Sequence, residues 1–322
     1  MAERIARLRE TEILEQLGDE ADAVIEAAIE SLPLKETIFR TLDGAAGPST
    51  MLATNTSSIS IAAIATATTR PERVIGLHFF NPAPLMALVE VVATPVTDPG
   101  IAAAAFELVV GWGKTAVRSA DSPGFIVNRV NRPFTLRALR LVEERIASVE
   151  VIDEAIREAG FPLGPFELMD LTGIDVTFAA STGIWEALGR PDRLRPSPIQ
   201  ERMVAEGTVG RKTGSGFYRY EGGKAVGLNP DVAIATTGSV AADAIRQRIL
   251  LPLIDEAFRV ASEGVAAKPD IDVAMRLGAA HPMGPFERVV EAGGAAAVAA
   301  RLRELARDDP SFSPSSALDA AH

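Results

Sequence analysis

Val74-Ile-Gly-Leu-His-Phe-Phe-Asn-Pro-Ala-Pro-Leu-Met-Ala-Leu-Val-Glu-Val-Val92 decides the fold. Its two apolar runs, Val74–Phe79 and Leu88–Val92, are rich in β-branched residues and flank a turn written as Asn81-Pro-Ala-Pro84. Branched side chains are stiff at χ1 and pack well on a pleated surface, so both runs read as buried strands. Working outward, Asp22-Ala-Val-Ile-Glu-Ala27, Met51-Leu-Ala-Thr-Asn55 and Lys114-Thr-Ala-Val-Arg118 supply three more. Helical spacing fills the intervals: Lys35–Leu42 with Ile38, Phe39 and Leu42 inward, Ile61–Thr66, and Ala102–Trp112. Strands alternating with helices predict a mostly parallel sheet joined by crossovers. Ahead of it, Ala2–Gly18 carries Ile5, Leu8, Ile13, Leu14 and Leu17 on one stripe and predicts an amphipathic helix.

After Asp121 the strand pattern stops, and Ser119–Gly124 with its Ser-Pro-Gly turn marks a boundary. Asn128–Ala147 and Val151–Gly160 read as helices, and the helical half repeats itself. Ile152-Asp-Glu-Ala-Ile156 followed by Phe161-Pro-Leu-Gly-Pro-Phe-Glu167 recurs as Ile271-Asp-Val-Ala-Met275 followed by His281-Pro-Met-Gly-Pro-Phe-Glu287, and Glu144 recurs as Glu263. Two copies of one helical unit therefore follow the sheet. The expected organisation is a partial dinucleotide-binding domain over 1–120, a helical unit over 121–220, a Gly-, Ala- and Thr-rich linker over 221–240, and a second helical unit over 241–322.

The 322 residues are 47% hydrophobic and 23% charged, enough to bury a core in about two domains. A formal charge of -11 without a basic run argues against a nucleic-acid partner and against an anionic membrane surface. Zero cysteines exclude disulfides, iron-sulfur clusters and thiolate zinc sites. His78, His281 and His322 are scattered without the paired spacing of a metal site. With no apolar signal segment near Met1 and no run long enough to span a bilayer, the expected location is the cytoplasm.

Histidine titrates near neutrality and suits a general base, provided a partner fixes its tautomer. His78 at the end of one strand and Glu90 on the next would meet if the Asn81 turn brings the chain back. A carboxylate there stabilises the imidazolium formed on proton transfer. The bland alternative is a histidine satisfied by backbone and a glutamate facing solvent.

His78-Phe-Phe-Asn-Pro82, Glu90, Ser122-Pro-Gly-Phe-Ile-Val-Asn128 and Gly210-Arg-Lys-Thr-Gly-Ser-Gly-Phe-Tyr218 together resemble the 3-hydroxyacyl-CoA dehydrogenases, from about Asp22 to Tyr220. The resemblance implies a truncated Rossmann-like α/β domain followed by two tandem all-α C-terminal units. It implies NAD-dependent oxidation of (3S)-3-hydroxyacyl-CoA to 3-oxoacyl-CoA in fatty-acid or related acyl-CoA metabolism. His78 is then the general base and Glu90 its partner, Ser57 holds the substrate oxygen, and Asn128 lies beside the substrate. Glu30, Lys35, Ser57, Asn81 and Lys212 face the NAD cofactor. Simpler readings stand beside these: Ser57 or Asn128 as a helix cap, Lys35 and Lys212 as solvated charges. Acyl chain length is not written in these residues; short-chain substrates and a dicarboxylic acyl-CoA both fit the tandem architecture.

One family feature is absent from this sequence: no strand and Gly-x-Gly-x-x-Gly loop precedes His78. Relative to the doubly wound order, roughly 80 residues with the first three strands are missing, so the strand at Ala23 is expected at an open edge. NAD affinity is expected to be weakened, since that loop and its helix N-terminus hold the pyrophosphate. A misplaced start or a separate chain completing the cofactor site would account for this. So would a non-catalytic remnant or partner subunit that keeps the helical units for assembly. The resemblance also implies pairing of one helical unit with that of another subunit, and the tandem copy could supply that pairing within one chain, so a homo-oligomer and a single chain both stay open. Gly111-Trp-Gly-Lys-Thr-Ala116 matches the glycine pattern formally, but it follows a helix and precedes a strand, so it reads as a turn. His281 stands in the place of Phe161 and reads as packing, and Gln247 stands where the first unit has Asn128.

Overall fold

The computed structural model describes residues 9–18, 21–232 and 240–321. It divides into two compact units, Met1–Ser122 and Pro123–His322, with the division inside the expected Ser-Pro-Gly turn.

In the first unit all five expected strands form one sheet: β1 (Ala23–Glu26), β2 (Met51–Thr54), β3 (Val74–Phe79), β4 (Leu88–Ala93) and β5 (Thr115–Ala120), in that spatial order. β1, β2 and β3 are parallel, as are β4 and β5. The pair β3–β4 is antiparallel within the mostly parallel sheet, the chain being brought back by the Asn81 turn. Its cause is length: Phe80–Ala87 reverses the chain directly, whereas a parallel crossover takes about a dozen residues or more.

Alternation along the strands sorts side chains to two faces. Ile75, Leu77, Val89 and Val91 pack with Met51 and Ala53 against Ile101, Ala105 and Val109 of helix Pro99–Gly111. Burying each such side chain stabilises the fold by roughly 1.5–3 kcal/mol. Asp98 caps that helix, its Oδ1 accepting the N–H groups of Gly100 and Ile101 at 2.8 and 3.1 Å. Gly76 and His78 lie on the other face. A Cβ on Gly76 would stand 2.2 Å from Ile61 Cδ1, so helix Ile61–Ala65 reaches the sheet only because β3 has a glycine there.

The expected Ala2–Gly18 helix is seen only as Glu15–Gly18, and residues 1–8 lie outside the described residues. Thr11 Oγ1 accepts the Ile13 N–H at 3.0 Å and donates to Gln16 at 2.7 Å, giving the backbone a local alternative to helix. Ile13 and Leu17 of the stripe are 52% and 46% exposed, so little apolar surface is buried to extend it. Gly113, with φ +75, confirms the turn reading of Gly111–Ala116 between helix and strand.

In the second unit the expected Asn128–Ala147 helix is broken into Val127–Val130 and Arg132–Glu143. Pro133 has no N–H to give to the preceding turn. The expected linker begins instead as a β-hairpin, Tyr218–Glu221 with Lys224–Leu228. Gly222 and Gly223 both take positive φ, 55° and 78°, as a two-residue hairpin turn requires. Residues 233–239 lie outside the described residues.

The repeat is preserved to the side chains. Asp153, in the middle of helix Val149–Glu158, accepts the N–H groups of Phe166 and Glu167, at 2.9 and 3.1 Å, at the start of helix Pro165–Thr172. Glu167 reaches back to the Gly164 N–H at 2.9 Å. In the second copy Asp272 accepts from Phe286 at 2.8 Å, and Glu287 from Gly284 at 2.7 Å. The Gly-Pro-Phe-Glu signature follows from this packing, since a Cβ on Gly164 or Gly284 would lie 2.2 or 2.3 Å from the Asp carboxylate. The copies also lock together: Arg129 pairs with Glu256 (Nε to Oε1, 3.0 Å) and Glu263, and the His281 ring packs on Phe134 and Phe161.

Candidate active site

Strand register brings the first pair together. His78 of β3 lies directly opposite Glu90 of β4, on the face shared with Gly76 and Val92. Opposed residues of an antiparallel pair hold their Cβ atoms about 4.5–5.5 Å apart. His78 Nδ1 and Glu90 Oε2 are 2.6 Å apart, Glu90 is 0% exposed, and the imidazole packs 4.6 Å from the Phe80 ring. The solvent-facing alternative for Glu90 is thereby set aside. Lys114 holds the loop beyond, donating to Ala83 O at 2.7 Å and Met86 O at 2.8 Å.

A second cluster forms at the C-terminal ends of β1 and β2. Glu30 Oε1 accepts from Thr56 Oγ1 at 2.5 Å, from the backbone N–H of Ser57 and of Ser58 at 3.0 Å each, and from Ser58 Oγ at 2.9 Å. Burial pushes its pKa up, but these hydrogen bonds, with the charge on Lys35, outweigh burial and hold it below the usual carboxylate range. Lys35 is 1% exposed, 2.7 Å from Glu26 and 3.5 Å from Glu30, so it is not a solvated helix charge. Glu26 also accepts from Thr54 Oγ1 at 2.7 Å. Asn55 ties the two clusters: its N–H donates to Glu26 O, and its Oδ1 accepts the Phe79 N–H, each at 2.8 Å.

Ser57 is exposed and uses its backbone N–H on Glu30. It does not cap the following helix; Ser60 does, accepting from Ala63 N at 3.3 Å. Asn81 is exposed in the loop after β3, at a cis peptide with Pro82. Asn128 and Lys212 belong to the second unit. Asn128 is half-buried in Val127–Val130, and Lys212 Nζ sits 2.7 Å from both carboxylate oxygens of Asp175.

Glu26, Thr54, Asn55, Thr56 and Lys114 are contributors that the sequence reading passed over. Glu26 had a signal: it closes an otherwise apolar run, and a carboxylate buried at a strand end calls for a partner such as Lys35. Among the described residues no helix is long and apolar enough to cross a membrane.

Residues 1–122 match the family model described as 3-hydroxyacyl-CoA dehydrogenase, NAD binding domain, and residues 124–220 and 245–320 match 3-hydroxyacyl-CoA dehydrogenase, C-terminal domain. The second match falls on both helical copies. The chain is similar to the 3-hydroxyadipyl-CoA dehydrogenase of Escherichia coli K12, 38% identical over 83% of this chain and 73% of that protein. It is 46% identical to the mitochondrial hydroxyacyl-coenzyme A dehydrogenase of Sus scrofa over 62% of this chain, and spans 64% of that relative's length. The crystal structure of 3-hydroxybutyryl-CoA dehydrogenase from Escherichia coli K12 superposes with a TM-score of 0.85 at 34% identity, covering 96% of this chain and 83% of that one.

Proposed function

Because the chain belongs to the 3-hydroxyacyl-CoA dehydrogenase family, we propose that it oxidises (3S)-3-hydroxyacyl-CoA to 3-oxoacyl-CoA with NAD, His78 acting as general base. The observation that carries the reading is the 2.6 Å contact between His78 Nδ1 and the fully buried Glu90. An ionised carboxylate only accepts hydrogen bonds, so Nδ1 carries the proton and Nε2 the lone pair of the neutral ring. That lone pair takes the proton of the substrate hydroxyl. The imidazolium so formed is stabilised by Glu90 in a setting from which water is excluded.

NAD supplies the acceptor for the hydride that leaves C3. Glu30, held anionic and fixed by Thr56, Ser57 and Ser58, fits a cofactor contact at the carboxyl ends of the strands, where ligands of open α/β sheets bind. Lys35 acts by holding Glu30 and Glu26, and Ser57 and Asn81 offer exposed polar side chains on the same edge. Ser57 also holds the substrate oxygen. Asn128 contributes to the substrate and Lys212 to the cofactor from the second unit.

Acetoacetyl-CoA-dependent oxidation of NADH by the full chain tests this. His78→Gln is expected to lower kcat by about 10²–10⁴, the usual contribution of a positioned acid or base. Turnover retained in the variant overturns the base assignment, and no turnover in the unaltered chain overturns the activity.

A further inference from the structure

Arg132 begins the long helix of the first copy one turn after Asn128, and it is 6% exposed. Its Nη1 donates to Ser181 Oγ at 3.3 Å and Thr177 O at 3.4 Å, both long. Its Nε is buried and has no partner. Among the described residues no carboxylate pairs with Arg132, whereas Arg129 on the same segment has Glu256 and Glu263. Burial alone pulls the Arg132 pKa down, to about 10, with no neighbouring charge opposing it. The side chain is therefore still a cation at neutral pH.

A buried cation without a counter-charge is costly, and folds rarely keep one without a use for it. The helical scaffold does not require it. The second copy repeats Arg129, Pro133, Ala138 and Glu144 as Arg248, Pro252, Ala257 and Glu263, and in that register Arg132 becomes Leu251, packed in an apolar core. The polar surroundings continue beyond Thr177. Gln200 is fully buried and donates to Thr177 Oγ1 at 3.1 Å, and its own Oε1 has no partner.

In a guanidinium, Nε–H and the neighbouring Nη2–H form a side-on fork that matches the two oxygens of a carboxylate. Here the opposite amino group is anchored, and the fork side has no protein partner among the described residues. We propose that Arg132 binds the distal carboxylate of a dicarboxylic 3-hydroxyacyl-CoA and so sets the substrate class of this chain. The proposal rests on the dehydrogenase reading above. It takes Asn128 to lie beside the substrate, with Arg132 four residues further on, past the break at Asn131. A short diacid, whose second carboxylate lies a few carbons beyond the hydroxyl-bearing carbon, suits so near a neighbour.

3-Hydroxyadipyl-CoA and 3-hydroxyhexanoyl-CoA have the same carrier and chain length and differ in the terminal carboxylate alone. Isothermal calorimetry and initial rates with NAD on the full chain are expected to favour the diacid by at least about tenfold, the scale of a charge-assisted hydrogen bond. The preference should lie in KM and not in kcat. Arg132→Met should bring the two ligands within about threefold while leaving the monoacid unchanged, and Arg132→Lys should keep part of the preference. Equal affinity of the unaltered chain for both ligands overturns the proposal, whether or not the Met variant folds. Equal loss for both ligands in a folded Met variant overturns it too, since it would mean contact with the shared carrier. Failure of the dehydrogenase reading looks different: neither compound is oxidised, while a calorimetric preference for the diacid persists.

Discussion

The two helical copies share a frame and differ in what they place at the head of their long helix. Both keep the Asp-to-backbone cap, the Gly-Pro-Phe-Glu turn and the Glu that reaches back to glycine. The first copy puts Asn128, Asn131 and Arg132 at the helix start, where the second has Gln247, Leu250 and Leu251. The shared residues are those that the fold requires. Asn131 and Arg132 have apolar counterparts in the second copy, and a polar residue that the scaffold does without is the better candidate for chemistry.

The largest test of this division is Glu256, which binds Arg129 of the first copy and Arg193 across the seam, where the first copy itself has Arg137. Burial raises its pKa, but Arg193 and Arg129 outweigh burial and hold it below the usual range. Glu256→Ala takes the carboxylate from Arg193 and leaves Arg129 with Glu263 alone, and should cost about 3 kcal/mol in urea unfolding. A carboxylate depressed in the folded state contributes stability that is present above its unfolded pKa and lost as pH falls through the folded one. The variant should therefore show a flatter acid limb than the unaltered chain.

Next come the paired caps. Asp153 accepts from Phe166, Glu167 and Tyr218, Asp272 from Phe286, so Asp153→Ala should cost about 3 kcal/mol and Asp272→Ala about 1. Equal losses would show that the copies do not depend on these bonds. Burial pushes Asp153 up to about 7 against those bonds, so its own contribution is fully present below about pH 4 and fades as pH rises through 7.

An effect confined to acid pH comes from His281→Phe, which gives the second copy the residue of the first. Burial and Arg288 push His281 down to about 3, and its Nδ1 has no partner. A base depressed in the folded state loses stability as pH drops below its unfolded value. The unaltered chain should lose about 2 kcal/mol relative to the variant between pH 6.5 and 5. Parallel pH profiles for the two proteins would remove His281 from the acid limb.

Much of this was legible in the sequence because it is written in local pattern. Five strands follow from branched apolar runs, and the repeat from a shared turn signature. Strand direction was less visible, although the short Phe80–Ala87 connection already forbids a crossover. Lys35 and Arg132 were the hardest residues to read. A charged residue on a helix looks the same in sequence whether solvated or buried, and its burial is decided by other elements of the fold, such as the strand of Glu26 for one and the helix of Ser181 for the other. Gly222-Gly223 marked a hairpin, but it lay inside a stretch whose composition suggested a linker.

The antiparallel pairing of β3 and β4 has a practical consequence for redesign. His78 and Glu90 are held at their separation by ladder hydrogen bonds, and the connection between them is a detachable part. Loops of other lengths can be grafted between Asn81 and Leu88, with Phe80 and Asn81 kept, without retuning the pair. A graft that slides the ladder by a single residue turns Glu90 to the opposite face and disarms the histidine at once.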